Sequence, residues 1–275
     1  MDKLPILQLE NISFHYPDGT QAIHQLSCTI KKGEKVVLLG ENGCGKSTLF
    51  QLLNGLRKPQ KGSYHFNGEE IRYNRKDCKK LLHNIGIVFQ DPDVQIFAAD
   101  VMQEISFGPK NMGYPNEKVR QLVLQAMEQT NILSLKEKPT HFLSYGQKKR
   151  VAIADILAMD TEIIIMDEPL AWLDMRHKKK MLNILNQLNQ EGKTLIVSTH
   201  DPNFAYEWAD TIHIMHQGAI LEHGTPEHVF SNKEILSKAG LELPLIFELA
   251  QNLDLNLMPR SKKELLSILQ PDNLK

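Results

Sequence analysis

Apolar and polar residues alternate over positions 7–16 (LQLENISFHY) and again over 26–30, and the turn formers Pro17, Asp18 and Gly19 stand between the two runs. A period of two turns one face of each segment inward, so the pattern predicts a small antiparallel sheet early in the chain. A short apolar run at 36–39 leads into glycine-rich sequence, after which Leu49, Leu52, Leu53 and Leu56 recur at helical spacing. That order predicts a strand, a loop and a helix. The alternation returns with apolar strands at 163–166 and 194–198 and a helical stretch between them from about 176 to 190. Strands that alternate with helices predict a parallel sheet covered on both faces. Between 92 and 159 the period is helical, with Val119, Leu122, Val123 and Ala126 on one face, which predicts a helical subdomain inserted at about 91–159. Past Pro226 come short helical segments, including 234–238 and 261–269, joined by Pro244 and Pro259. The expected division is a main α/β domain over 1–230 and a helical extension over 231–275 outside the core fold.

With 41% hydrophobic and 24% charged residues among 275, the chain has the makeup of a globular protein able to bury a core. A formal charge of -1 and a pI near 6.8 give no basic field to steer it to nucleic acid or anionic lipid. The longest purely apolar runs, such as 36–39 and 163–166, fall far short of the ~20 residues that cross a bilayer. The first residues, MDKLPILQLE, show no secretory signal, so a cytosolic chain is expected. Cys28, Cys44 and Cys78 are an odd number without metal-type pairing, which suits a reducing compartment.

The octapeptide GENGCGKS at 40–47 has the spacing of a phosphate-binding loop. Its members are Gly40, Glu41, Asn42, Gly43, Cys44, Gly45, Lys46 and Ser47, with Thr48 next in line. Glycines let backbone N–H groups close around phosphate oxygens, Lys46 reaches the terminal phosphates, and the Ser47 hydroxyl holds magnesium. The fixed letters also recur by chance in unrelated chains, so the flanking strand and helix are what raise the reading. Cys44 lies where a bulky adduct would occupy the space of the phosphates. The run IIIMDE at 163–168 is an apolar strand ending in two carboxylates. At the carboxyl end of a parallel strand Asp167 would reach magnesium and Glu168 the attacking water, although a solvated acidic turn has the same letters. TLIVS at 194–198 ends in Thr199 and His200, which brings an imidazole to the same edge. MgATP is the expected ligand.

The segment LSYGQKKRVAIA at 143–154 is similar to the LSGGQ signature of the ABC transporter ATPases, and the chain resembles that family up to about Phe230. The resemblance implies a P-loop NTPase core with an N-terminal antiparallel β subdomain. It further implies a dimer in which ATP on one phosphate loop is capped by the signature of the other subunit, through Ser144, Tyr145, Gly146 and Gln147. Taken singly, Tyr16 matches the aromatic that stacks on adenine, Asp174 the acid of the D-loop and His200 the switch histidine. Gln90 matches the residue that senses magnesium and the transport partner. The implied catalytic set is Glu168, His200 and Gln90, and the implied magnesium ligands are Ser47, Gln90 and Asp167. Three positions depart from the pattern. Tyr145 replaces a glycine of LSGGQ, as is familiar in the metal-uptake branch. Trp172 in AWLD and Asp155 stand where small residues are usual, and Asp155 reads as part of a solvated face.

The stretch at 89–113, FQDPDVQIFAADVMQEISFGPKNMG, resembles the ATPases of energy-coupling-factor importers, especially those for cobalt or nickel. That branch implies a groove after Gln90, with Val94, Ile96 and Phe97 exposed, which receives helices of a transmembrane coupling protein. A separate membrane subunit would bind the cargo, and the extension beyond 230 would serve the dimer contact. The expected place is the cytoplasmic face of the membrane, and vitamin import by the same type of complex stays open. A DNA-repair ATPase shares the nucleotide sandwich. Leu143 follows Gln90 by only 53 positions, however, and the stretch between lacks the heptads of its coiled coil, so no nucleic-acid partner is expected. His213, His216, His223 and His228 fall within sixteen residues, but opposite parity on a predicted strand sends His213 and His216 to opposite faces.

Overall fold

The computed structural model describes residues 4–255 and 257–270; positions 1–3 of the expected main domain and 256 and 271–275 of the expected extension lie outside them. The first part contains β1 (Pro5–His15), β2 (Gln21–Lys31), β3 (Lys35–Leu39), α1 (Lys46–Leu53), β4 (Lys61–Phe66), β5 (Glu69–Glu70), α2 (Arg75–Asn84) and β6 (Ile85–Val88). The inserted helices are α3 (Val101–Asn111), α4 (Asn116–Gln129) and α5 (Tyr145–Ala158). The chain then returns through β7 (Ile163–Asp167), α6 (Met175–Gln190), β8 (Thr194–Thr199), α7 (Pro202–Trp208), β9 (Thr211–His216) and β10 (Ala219–Gly224). Four short helices follow, α8 (Pro226–Ser231), α9 (Lys233–Lys238), α10 (Leu245–Asn252) and α11 (Lys262–Ile268).

Two sheets form. The smaller is antiparallel in the order β2-β1-β4-β5, and the larger runs β10-β9-β3-β8-β7-β6, parallel except at the β10 edge. Its central strands read as unbroken apolar runs because both faces are covered. Val36, Leu38, Ile163, Ile165 and Ile196 pack with β1, β2 and α1 on one side. Their alternates Val37, Leu39, Ile164, Met166, Leu195 and Val197 pack with α6 and α7 on the other. A third cluster, with Val101, Ile105, Val119, Val123, Ala126 and Val151, is the core of the inserted helices.

Three expectations are corrected by packing. Helix α1 ends at Leu53, where Asn54 and the left-handed Gly55 (φ 83) stop it, so Leu56 is 54% exposed instead of continuing the helical face. Asp155 is not on a solvated face, because α5 is buried on both flanks. Gln95 Nε2 donates to its Oδ2 at 3.4 Å, and Oδ1 is buried without a partner among the described residues. Burial first, and nearby Glu104 second, hold that carboxyl well above the usual range. The tail also belongs to the core, since Leu236, Ala239 and Phe247 join the cluster beneath α7, and the rings of Tyr206 and Phe247 meet edge to face at 5.4 Å.

Candidate functional site

Four parallel strands end at one level. The register pairs Leu39 with Thr199, Asp167 with Ser198 and Val88 with Met166, so the residues after β3, β6, β7 and β8 emerge along one edge. A doubly wound sheet keeps its crevice at that edge.

After β3 the chain folds tightly against β2 and β9. A Cβ on Gly40 would collide with the Met215 carbonyl, and one on Gly45, at φ 108, would stand 2.6 Å from the Ala22 carbonyl oxygen. Gly45 also begins α1 without any side-chain cap, which leaves the first N–H groups of the helix for an anion. The Lys46 ammonium donates to the carbonyls of Gly40 (2.6 Å) and Glu41 (2.9 Å).

Across the cleft, Ser47 Oγ donates to Asp167 Oδ2 at 2.5 Å. The Ser198 hydroxyl donates to the other oxygen of Asp167 and accepts the Glu168 N–H at 2.9 Å. A hydroxyl, a carboxylate and the neighbouring Gln90 amide form a set of hard oxygen donors suited to Mg2+. Glu168 is buried and left-handed (φ 47), and its Oε1 lies 2.9 Å from Nδ1 of the exposed His200. Its carbonyl accepts a bond of 2.9 Å from Lys149 Nζ. Lys149 is fully buried, and burial lowers its ammonium to about 8 against the pull of Glu168 and Asp167.

Of these groups Lys46, Ser47, Asp167 and Glu168 line an open cleft of about 320 Å³ together with Tyr16, Asn42, Gly43, Gly45, Thr48 and Gln90, while His200 borders the adjoining pocket that shares Asn42, Gln90 and Glu168 with it. Thr20, Gln21 and Ala22, from the turn before β2 and its start, complete the wall. Tyr16 Oη is 2.8 Å from Thr48 Oγ1, and the Arg57 guanidinium covers one face of its ring at 4.7 Å. Sequence reasoning missed Arg57, Ser198 and Lys149. The only linear signals were a serine closing an apolar strand and a lysine, within a basic run, that has Ala152 and Ile153 three and four positions on.

Other expected site residues point elsewhere. Cys44 is 6% exposed and packs in the core, where burial pushes its thiol up. The Glu41 carboxylate lies against the position a Cβ would take on Gly240, so only its carbonyl serves the loop. Ser144, Gly146, Gln147 and Asp174 do not line the cleft. Ser144 and Gln147 cap α5 reciprocally, at 3.4 and 2.9 Å. Asp174 caps α6, and bonds from the His177 backbone and ring hold its carboxyl below the usual range. Tyr145 donates its hydroxyl to the carbonyl of Gln90 in its own chain at 3.2 Å, and shares a shallow pocket with Asp91, Asp93 and Trp172, which is 83% exposed. His213 is buried and stacks on His223 at 5.5 Å.

Among the described residues no helix is long and apolar enough to cross a membrane. A profile of the ABC transporter family matches residues 23–171. The chain is 44% identical, over 249 residues and 90% of its length, to the energy-coupling factor transporter ATP-binding protein EcfA of Methanocaldococcus jannaschii, of which it covers 89%. It is also 44% identical, again over 90% of its length, to EcfA2 of Methanospirillum hungatei, but spans only 63% of that relative. Its fold matches cbiO1 of Clostridium perfringens, described as part of the ABC transporter complex cbiONQ. The TM-score is 0.76 at 42% identity, over 92% of this chain and 100% of that one. With its strand edge, phosphate loop and signature helix in this arrangement, the chain belongs to the ABC transporter family.

Proposed function

We propose that this chain is the ATPase subunit of an energy-coupling-factor importer for cobalt or nickel, working on the cytoplasmic face as a dimer with a second copy or a close paralogue. The observation that carries the nucleotide chemistry is the meeting of Ser47 and Asp167 at 2.5 Å beside Lys46. Those two residues with Gln90 would hold Mg2+, whose charge offsets the charge that develops on the transferring phosphoryl oxygens. Lys46 exchanges the carbonyls of Gly40 and Glu41 for phosphate oxygens, and the N–H groups of residues 42–48 cradle the rest. Tyr16 stacks on the adenine. Glu168 takes the proton of the attacking water, and His200, hydrogen-bonded to it, holds the carboxylate in place.

Ser144, Tyr145, Gly146, Gln147 and Asp174 sit at the starts of α5 and α6, away from their own cleft. That placement supports their acting on the nucleotide of the partner subunit. The extension from 231 onward would help the dimer contact. A transmembrane coupling protein would dock on the segment after Gln90, and a separate membrane subunit would bind the cargo. Similarity to cbiO1 and the character of residues 89–113 support metal import. The relatives named only for energy-coupling factor fit vitamin import equally, which is the second reading.

Glu168→Gln tests the chemistry. A general base contributes roughly 10²- to 10⁴-fold, so hydrolysis falls by about that much while MgATP accumulates a dimer on gel filtration. A variant that stays monomeric in MgATP, or turns over at the wild-type rate, refutes the reading. Purification from membranes with identification of the associated integral proteins, and transport assays with cobalt, nickel and vitamins, decide the cargo.

A further inference from the structure

Lys149 joins two parts of the chain that serve different nucleotides in a sandwich dimer. It projects from α5, whose first turn carries Tyr145 and Gly146, into the turn that follows β7. Its ammonium is wholly buried and donates to the carbonyls of Glu168 (2.9 Å) and Ala171 (3.4 Å). The Glu168 carbonyl also accepts the Ala171 N–H at 3.1 Å, so one oxygen anchors both the turn and the lysine. That turn is strained at both ends, with Glu168 at φ 47 and Trp172 at φ 61, a conformation that non-glycine residues keep only where their surroundings over-determine it. The ammonium also lies 6.0 Å from the ring centre of Tyr145, whose hydroxyl bonds the Gln90 carbonyl. A buried charge–carbonyl contact is stiff, because losing it strands an ammonium without a partner.

We propose that Lys149 is a positioning residue that couples the two ATP sites: engagement of the partner's nucleotide at the start of α5 sets the geometry of Glu168 in the cleft of its own chain. The proposal rests on the sandwich-dimer reading above. A displacement of α5 moves Nζ, and Nζ moves the backbone of Glu168 directly, whereas the Glu168 carboxylate is held from the other side by His200.

The test is the ATP dependence of hydrolysis by wild type, Lys149→Met and Lys149→Arg. Lys149→Met is expected to keep its circular dichroism, bind ATP as wild type does, lose about tenfold in kcat, and drop from a Hill coefficient above 1 to 1. Lys149→Arg, which keeps charge and donors, restores both quantities in part. A Lys149→Met protein that is folded and retains the wild-type Hill coefficient overturns the proposal, whatever its kcat, as does a wild type with a Hill coefficient of 1. If Lys149→Met fails to fold, Lys149→Gln is measured instead and judged by the same Hill criterion. ATP-induced dimerisation of Glu168→Gln separates the two failures. No dimer defeats the sandwich reading, and a dimer with unchanged cooperativity in the Lys149 variant defeats only the role of Lys149.

Discussion

Cys44 and Lys46 stand two positions apart in one loop, and the Lys46 ammonium lies 3.8 Å from the Cys44 sulfur, yet only the lysine reaches the cleft. The lysine lines the cleft, while the thiol sits in the core. The left-handed glycines on either side of Cys44, Gly43 (φ 81) and Gly45 (φ 108), reverse the chain and produce this split. From spacing alone Cys44 invites modification in the space of the phosphates; buried and with its thiol pushed up, it is a poor nucleophile. Brief treatment with N-ethylmaleimide is therefore expected to label the half-buried Cys78 about tenfold faster than Cys44. Peptide mass spectrometry reads this, and equal labelling would show that the loop opens to expose the thiol. Ser198 makes a related point. Its hydroxyl bridges the Asp167 carboxylate and the Glu168 N–H, so it ties the two acids together from outside the cleft lining.

At the scale of elements, α7 is held at both ends by the tail. Leu245 donates its N–H to Asn203 Oδ1 at 2.8 Å, and the Arg260 guanidinium donates to the carbonyls of Tyr206 (2.7 and 2.9 Å) and Ala209. Arg260 thereby satisfies carbonyls at the end of the helix, where a cation also suits the dipole. The helix begins just after His200, with Asp201 as its cap. The tail thus braces the element that directly follows His200. Arg260→Ala is expected to cost about 1.5–3 kcal/mol, which lowers Tm by several degrees in a chain of this size. Amide exchange should rise across residues 202–209 more than in β7 or β8, and a uniform increase over the whole sheet would reject a local brace.

On the scale of the whole molecule, the segment after Gln90 presents exposed apolar side chains. Val94 is 71% and Phe97 65% exposed, and Phe97 meets Phe107 edge to face at 4.7 Å. Ile96 differs from expectation, being half-buried against the helical core. Gln95 ties this surface inward, accepting from the Phe89 N–H (3.2 Å) and donating to the Ala152 carbonyl (2.8 Å). A helix docked on Phe97 could therefore shift Gln90 relative to α5, a two-state bias of the kind that couples distant events. Phe97→Asp should leave circular dichroism and basal ATPase intact while abolishing co-purification with the membrane partner. Ile96→Asp should instead destabilise the helical subdomain. A folded Phe97→Asp protein that still assembles would refute docking at this surface.

The periodicity of 36–39, 163–166 and 194–198, and the motifs that follow those strands, determined a parallel sheet with Lys46, Ser47, Asp167, Glu168 and His200 at its edge, because strand ends inherit their place from the sheet. Three-dimensional packing decided the rest. Nothing linear separates the inward Asp155 from a solvated one, since α5 has core on two sides and its periodicity is correspondingly weak. The tail's membership of the core, Arg57 over Tyr16, and the links of Lys149 to Glu168 and of Tyr145 to Gln90 are contacts between residues 19 to 55 positions or more apart. Such contacts form only once the crossovers have brought separate elements together, so local pattern determined which chemistry is present and tertiary structure decided which groups orient it.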